Sequence, residues 1–417
     1  ARDFGHNYLE SLSKDNNPII FTNGDNDTFP LWYAQETEGF RTDARVCNLS
    51  YLQTDWYIDQ MKRPAYDSPS VPIHWSRLQY VSGMREGIRI QPDALKTVMN
   101  YIEQAGGNFE SQKGMLGENP YELKNIMEKW VLSEDPDMQI IPTDSIVVPI
   151  DKEAVRRSGM MMAGDSIPDY MTISLKGRTS IYKSELMMLE MLQQCNWERP
   201  LYVAVTVGSS NYGSLGDNFV QEGLVNRVTP FNTAKSGMRL DSEKMFDNLM
   251  NRFRYGGVSN PDVYLDETVL RMCYTHRRLF SQLGQQLVRE GKMDKARQLM
   301  EKAEKELPAT TVPHNYQGGS LQLAAVWLSL GQKQKAEQIC VAMLRDMEEY
   351  VNYYLQQSGR YAQSSMRECA YQMYIMREVT QLMYDIDEKK GDLWAKKYAD
   401  LQMRVVAKYP ALRNAAQ

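Results

Sequence analysis

The sequence predicts an α/β fold followed by an all-α fold: a Rossmann-like, mostly parallel sheet domain over residues 1–235 and tetratricopeptide-like helical repeats over residues 236–417. Three observations predict this division. The length of 417 residues exceeds that of one average domain. The first half alternates short apolar runs with amphipathic segments, as βαβ units do. After Phe231 the strand-like runs end, and helical periodicity continues to Tyr409.

Five strands and four helices are predicted in the first domain. Apolar and β-branched runs between polar turns favour strands, and apolar residues three or four apart favour helices. The strands are predicted at 18–23, 45–52, 139–148, 170–175 and 201–207. The helices are predicted at 28–38, 54–61, 121–133 and 180–194. A stretch of about 65–120 is rich in Pro, Gly and Ser, and we interpret it as an irregular insertion.

Small residues indicate the helical repeats. Within 277–308, Gly284 and Ala296 would let two antiparallel helices approach closely. A second unit follows in which Ala324 and Ala336 take these places. Helices at about 343–357, 361–388 and 393–408 lose the small residues, so we interpret them as capping or divergent repeats.

Seven tyrosines lie along these later helices. They fit either an aromatic recognition face for a partner or packing within the helices, and packing is favoured because aromatics at helical spacing are usually buried. The whole tail is likewise either a docking arm or a buttress for the α/β domain. The tyrosines are Tyr350, Tyr353, Tyr354, Tyr361, Tyr371, Tyr374 and Tyr384.

Composition excludes several classes of function. The net charge of −5 is mild and no dense Lys/Arg cluster occurs, so we expect no nucleic-acid partner. Five scattered cysteines form no metal-ligand spacing and are predicted to be buried. No apolar run is long enough to span a bilayer. No motif implies a cofactor or a resident metal, and no catalytic triad is present.

The densest polar motif follows the first predicted strand, where open α/β sheets bind ligands. Its candidate binding residues are Asn23, Asp25, Asp27 and Thr28. The two carboxylates could chelate a divalent ion that holds a sugar-nucleotide diphosphate. The alternative, which is favoured, is structural: Asn23 makes the turn and Asp27 caps the helix N-terminus.

Two further sets of polar residues extend this candidate site. Thr54 and Asp55 follow the second strand and would line the same crevice, although either is also a natural helix cap. Arg227, near the end of the domain, could bind an anionic group. The alternative for Arg227 is an ion pair with Glu222.

Four segments, in order along residues 1–232, together resemble one family. They are IFTNGDNDTFPLWY (20–33), NLSYLQTDWY (48–57), NWERPLY (196–202) and EGL (222–224). The chain resembles the soluble C-terminal region of bacterial multi-spanning membrane proteins in a domain-of-unknown-function family. Those proteins are similar to eukaryotic membrane O-mannosyltransferases of the GT-C type.

The resemblance implies a parent glycosyltransferase that uses a lipid-phosphate sugar donor, with its catalytic carboxylate in a loop between transmembrane helices. The chain begins at Ala1 without an initiator Met, so we expect a fragment of such a protein. It would lie on the periplasmic side of the cytoplasmic membrane, with the upstream transmembrane domain and an acceptor polypeptide as partners. No catalytic residue can be assigned here.

Three functional hypotheses follow. The first is an extracytoplasmic accessory and docking region of the membrane glycosyltransferase, not catalytic by itself. The second is an independent sugar- or sugar-phosphate-binding module, or an enzyme, that uses the crevice of Asp25, Asp27 and Asp55. The third is a structural scaffold.

Overall fold

The computed structural model describes residues 1–107, 109–233, 237 and 239–414 of the chain. The chain divides into two compact units. The first comprises residues 1–248 and 252–254, and the second comprises residues 249–251 and those from 255 onward. The first unit is mixed α/β, whereas the described residues of the second are helical or in connections between helices. An α/β region therefore precedes an all-α region, as the sequence predicts.

The two units have the following elements. The strands are β1 (Ile19–Thr22), β2 (Arg45–Asn48), β3 (Gly87–Ile90), β4 (Ile140–Ile141), β5 (Ser145–Pro149), β6 (Tyr170–Ser174), β7 (Ser180–Tyr182), β8 (Leu201–Ala204), β9 (Phe219–Gln221), β10 (Val225–Val228) and β11 (Arg239–Leu240). The helices of the first unit are α1 (Arg2–Glu10), α2 (Asp25–Glu38), α3 (Asp55–Met61), α4 (Arg77–Tyr80), α5 (Ala94–Gln104), α6 (Phe109–Leu116), α7 (Leu123–Ile126), α8 (Lys152–Arg157), α9 (Lys183–Cys195) and α10 (Ser242–Asp247). Those of the second are α11 (Glu267–Arg289), α12 (Met293–Glu306), α13 (Ser320–Ser329), α14 (Lys333–Gln356), α15 (Gly359–Ile386) and α16 (Glu388–Lys408).

The main sheet of the first unit has the strand order β11-β9-β10-β8-β1-β2. Its centre is parallel, because β1 runs in the same direction as both neighbours, β2 and β8. In contrast, β10 is antiparallel to β8 and β9, and β11 is parallel to β9. The sheet is therefore mixed, with three parallel and two antiparallel pairings among its described strands. Its edge strand β11 also lies beyond Phe231, where the sequence predicted that strands end.

The neighbouring strands β8 and β1 and the edge strand β2 are buried along their whole length. Strands covered on both faces read as nearly continuous apolar runs, and this explains why the sequence located β1 and β8. All five cysteines are buried free thiols, as predicted.

Several other predicted elements fold differently. The strand predicted at 170–175 pairs with β5 in a separate antiparallel ribbon, outside the main sheet. The strand predicted at 139–148 is divided between β4 and β5, which belong to different sheets. The helix predicted at 180–194 begins as strand β7 and becomes helical only at Lys183. The helix predicted at 121–133 is α7 followed by a π-helical turn.

The segment predicted as an irregular insertion contains regular elements over about half of its length. Within 65–120 it contains β3, α4, α5 and α6, and β3 lies between β4 and β7 in a small sheet of its own. This segment and the residues after it share a hydrophobic cluster, so its order comes from packing that Pro- and Gly-rich composition does not reveal. The buried residues of this cluster are Leu95, Ile102, Leu116, Trp130 and Ile140.

The helical unit uses the small residues as the sequence predicts. A Cβ at Gly284 on α11 would lie 3.2 Å from Val326 Cγ1 and 3.4 Å from Met300 Sδ. Glycine at this position therefore lets α11 approach both α12 and α13. Ala296 and Ala336 are fully buried.

The turns after α11 and α13 have matching geometry. Gly291 and Gly331 adopt φ values of 73° and 75°, a region that favours glycine. At the first turn the Lys292 N–H donates to the Leu287 carbonyl at 2.8 Å, and at the second Gln332 donates to Trp327 at 2.9 Å. The two helix pairs thus repeat locally. The predicted break near Met343 does not occur, because α14 is one continuous helix.

Candidate functional site

The loops that follow β1 and β2 meet at one edge of the main sheet. The carboxyl ends of neighbouring parallel strands point to the same edge, and the strand order reverses between β8 and β1, which is where ligands bind in open α/β sheets. The Ser50 hydroxyl after β2 donates to Asn23 Oδ1 after β1 at 2.7 Å. The two predicted motifs therefore converge at this edge.

Asp27 of α2 contacts residues that follow β1 and β8. Its side chain is only 7% exposed. Burial raises the pKa of the Asp27 carboxyl group to about 6, although hydrogen bonds from the Thr206 hydroxyl and the Asn23 backbone partly offset the rise. Thr206 follows β8, and its hydroxyl also contacts the Tyr8 hydroxyl at 2.8 Å. Asp27 thus joins the loops after β1 and β8.

Asp27 does not cap α2 as predicted. The helix begins at Asp25, and its N-cap is Gly24, which has a φ of 85° and no capping side chain. Asp25 is exposed, whereas Asp27 is buried and hydrogen-bonded within the protein. Among the described residues, no three His, Cys, Asp or Glu side chains lie close enough to hold a metal ion.

Thr28 is fully buried and is held by protein groups on every side. Its hydroxyl donates to the Gly24 carbonyl at 2.7 Å. Thr22 Oγ1 lies 2.8 Å from Thr28 Oγ1, and the Asn48 side-chain amide donates to Thr28 Oγ1 at 2.9 Å. Thr28 therefore ties α2 to β1 and β2, and its hydroxyl is not available to a ligand.

Thr54 and Asp55 lie at the start of α3. The Thr54 hydroxyl donates to the Tyr51 carbonyl at 2.7 Å and makes no cap to α3. Asp55 Oδ2 accepts a hydrogen bond from the Ser82 N–H at 3.2 Å and lies 3.8 Å from Arg77 Nη2. The Thr54 hydroxyl therefore holds a local turn, whereas Oδ2 of Asp55 contacts the segment 77–82.

Arg227 lies away from the other candidate residues. On β10 it is paired with Tyr202, the second residue of β8, and so lies towards the edge where the parallel strands begin. The guanidinium group is buried, donates to the Ser158 carbonyl at 2.8 Å and lies 3.7 Å from Glu222 Oε1. The predicted ion pair with Glu222 is therefore confirmed.

An aromatic row was missed in the sequence. Phe29 and Trp32 of α2, Tyr51 after β2 and Trp56 of α3 form a continuous series of ring contacts with centroids 5.7, 6.2 and 5.8 Å apart. Phe29 is 47% exposed and Trp56 is 54% exposed. The signal was present, since both polar motifs run directly into aromatic residues, but only the parallel pairing of β1 and β2 brings the two sets together.

A tyrosine groove lies in the helical unit. It has a volume of about 620 Å³ and is formed by α11, the connection before α13, α14 and α15. Packing in the core or at its rim was the favoured interpretation of the seven tyrosines, and five of them lie at the surface and not in the core: Tyr350, Tyr353, Tyr361, Tyr371 and Tyr374. The rings that line the groove belong to Tyr274, Tyr316, Tyr350, Tyr354 and Tyr371.

His314 also lines this groove. Burial, and secondarily the charge of Arg277, lowers the pKa of His314 to about 4. Arg277 is itself buried and donates to the Pro313 carbonyl at 2.7 Å and to the Leu307 carbonyl at 3.1 Å. This arginine therefore fixes the connection that forms one wall of the groove.

Comparison with known proteins gives one match. A family model described as TMEM260-associated domain 2 matches residues 1–247, more than half of the chain. The matched segment ends at the last residue of α10. No curated protein and no solved structure matches the chain. Among the described residues, no helix is both long enough and apolar enough to cross a bilayer.

Proposed function

Because this chain belongs to the family of TMEM260-associated domain 2, we propose that it is the extracytoplasmic accessory region of a membrane-embedded glycosyltransferase. TMEM260 is an O-mannosyltransferase-like membrane protein. In this proposal the chain lies on the periplasmic side of the cytoplasmic membrane, attached to the transmembrane domain of its parent. It holds the acceptor polypeptide and leaves the transfer of the sugar to the parent.

The tyrosine groove is the observation that carries the docking role. Its volume of about 620 Å³ is within the range of ligand-binding clefts. Tyrosine offers a large, rigid and amphipathic contact surface, and it is enriched at protein interfaces for that reason. A row of Tyr rings between helices suits an extended polypeptide, whose backbone can hydrogen-bond to the hydroxyl groups.

The groove is also preorganised. Tyr350 and Tyr354, one turn apart on α14, have near-parallel rings with centroids 6.3 Å apart. Tyr316 packs edge-on against Tyr371 of α15 at 6.4 Å. Rings that are already ordered lose little conformational entropy when a ligand binds.

The matching helix pairs support a tetratricopeptide-like assignment for the helical unit, and the parallel centre of the main sheet supports a Rossmann-like assignment for the α/β unit.

Peptide binding tests this function. We would measure fluorescence polarisation of labelled Ser- and Thr-containing peptides with the full chain, and compare Tyr350→Ala and Tyr371→Ala with the wild type. Each groove variant is expected to weaken binding about tenfold, since each removes one aromatic anchor. Tyr361→Ala is the matched control, because Tyr361 is an exposed tyrosine of α15 that does not line the groove.

Two outcomes would count against the docking role. One is that no peptide of the set binds the wild-type chain. The other is that Tyr361→Ala weakens binding as much as the groove variants, since the tyrosines would then act only as a nonspecific surface.

A further inference from the structure

We propose that the aromatic row of the first unit (Phe29, Trp32, Tyr51 and Trp56) binds a neutral saccharide chain. This inference goes beyond the docking function, because it assigns a separate surface on the other unit. It does not require that the tyrosine groove binds polypeptide.

The rings at the two ends of the row are exposed to solvent. Phe29 is 47% exposed and Trp56 is 54% exposed. Between them the planes of Phe29 and Trp32 differ by 26°, and those of Trp32 and Tyr51 differ by 18°. Parallel rings in direct overlap would lie about 3.5–4.0 Å apart. With centroids 5.7 and 6.2 Å apart, these rings do not overlap as closely as that, and each step of the row is close to the width of a pyranose ring.

The row is held rigidly from beneath. Tyr57 is buried, and its ring contacts those of both Tyr51 and Trp56, at 5.6 and 5.5 Å. The Tyr57 hydroxyl donates to the Val46 carbonyl at 3.2 Å and accepts from the Asn48 N–H at 3.0 Å. Tyr57 is thus anchored to β2. A ligand that stacks on the row would bind a surface that is already ordered, at a low cost in entropy.

Three carboxylates lie next to the row along the chain and could accept hydrogen bonds from sugar hydroxyls. Asp25 is exposed and precedes Phe29 by four residues on α2, so the two lie on the same face of the helix. Glu36 follows Trp32 by four residues on that same face and is also exposed. Asp55 directly precedes Trp56. A pyranose has an apolar C–H face and a rim of hydroxyl groups, which matches rings bordered by ionised acceptors.

The charge of this border disfavours an anionic ligand. Carboxylates beside the rings repel phosphates and the surface of an anionic membrane. Arg77 contacts Asp55 but is also paired with Asp59, at 2.9 Å, so its charge is already compensated. The observations therefore favour a neutral saccharide over a sugar phosphate, a nucleic acid or an anionic lipid.

Calorimetric titration of the full chain with mannohexaose, cellohexaose and chitohexaose tests this inference. At least one of these oligosaccharides is expected to bind. Trp32→Ala and Trp56→Ala should each weaken that binding about tenfold or more, whereas Trp56→Phe, which keeps a ring, should stay within about threefold of the wild type. Tyr170→Ala is the matched control, because Tyr170 has the same exposed fraction as Trp56, 54%, in the same unit.

The same variants distinguish the alternatives. Thermal unfolding by circular dichroism checks that each variant is folded, which we expect of Trp56→Ala because over half of that side chain is in solvent. The inference is wrong if none of the three oligosaccharides releases or absorbs heat, or if Trp32→Ala and Trp56→Ala bind as tightly as the wild type. It is also wrong if the wild type instead sediments with phosphatidylcholine–phosphatidylserine vesicles and Trp56→Ala does not.

Discussion

Asp27 is a buried carboxyl group of the first unit, and its burial makes the stability of that unit depend on pH. With a pKa near 6 in the folded chain against 3.8 for an ordinary aspartate, Asp27 holds its proton more tightly when folded. The stabilisation that this gives is complete below pH 4 and is lost as the pH rises through 6. Above that pH the protein carries a buried, ionised group.

Replacing Asp27 by Asn should remove this pH dependence. The difference in melting temperature, variant minus wild type, is expected to increase as the pH rises from about 4 to 6. At pH 7 removal of the buried charge is expected to raise the free energy of unfolding by roughly 1–3 kcal/mol. Thermal melts at several pH values measure it, and Asp25→Asn is the control because Asp25 is exposed on the same helix. A constant difference across this range would contradict the assignment.

His314 makes the stability of the helical unit depend on pH in the opposite direction. Its pKa of about 4 lies below the ordinary value of 6.5, so the folded chain keeps the imidazole neutral. The corresponding stabilisation is present above pH 6.5 and is lost as the pH falls towards 4, because only the unfolded chain readily takes up the proton.

Replacing His314 by Gln should therefore change the melting temperature in the reverse direction. The difference in melting temperature, variant minus wild type, is expected to increase as the pH falls from about 6.5 to 4, because glutamine stays neutral throughout. Thermal melts over that range test this. His74→Gln, at an exposed histidine, is the matched control. A profile for His314→Gln parallel to that of the wild type would exclude a buried neutral imidazole.

At the scale of elements, the close approach of α11 to its neighbours depends on one glycine. The space above Gly284 is taken by Val326 of α13 and Met300 of α12, both within 3.4 Å of an added Cβ. Glycine in a helix interior is otherwise unfavourable, so the packing that it permits must compensate. The sequence identified this position correctly because the reason for it is local: a helix pair needs a small residue at its crossing.

A larger side chain at this crossing should separate the helices. Gly284→Leu is expected to destabilise the helical unit by about 1–3 kcal/mol, as overpacking does. Urea denaturation followed by circular dichroism measures the change. Arg289→Leu adds the same side chain at an exposed position of the same helix and should stay within about 0.5 kcal/mol of the wild type. Equal effects of the two variants would show that crowding at the crossing is not the cause.

At the scale of the whole molecule, each unit carries one candidate surface. The aromatic row belongs to the α/β unit and the tyrosine groove to the helical unit. Both surfaces use rigid aromatic rings, but one is bordered by carboxylates and the other is a cleft between helices. Such surfaces suit different ligands.

Because the two surfaces share no residue, their ligands should be separable by mutation. Trp56→Ala is expected to leave peptide affinity within about twofold of the wild type, and Tyr350→Ala to leave saccharide affinity equally unaffected. Titration of each variant with both ligands provides the measurement. If one substitution weakened the binding of both ligands, the result would indicate a single shared site and would contradict the two separate sites that we propose.

The sequence by itself determined the features that depend on neighbouring residues. Buried runs located β1, β2 and β8, periodicity located α2, α3 and α15, and small residues located the crossing at Gly284. The order of an α/β region before an all-α region followed from the same local patterns. Local sequence also gave the correct ion pair between Arg227 and Glu222, which lie close along the chain.

Only the tertiary structure decided which residues face one another. It separated Arg227 from Asp27 by placing them towards opposite edges of the sheet, and it showed that Thr28 is sealed in the core. It also brought the rings of Trp32 and Tyr51 into contact, and it placed tyrosines of α14 and α15 at a groove and not in the core. The physical reason is that strand pairing and helix packing join segments distant in sequence, and a local pattern carries no record of the partner that each segment will meet.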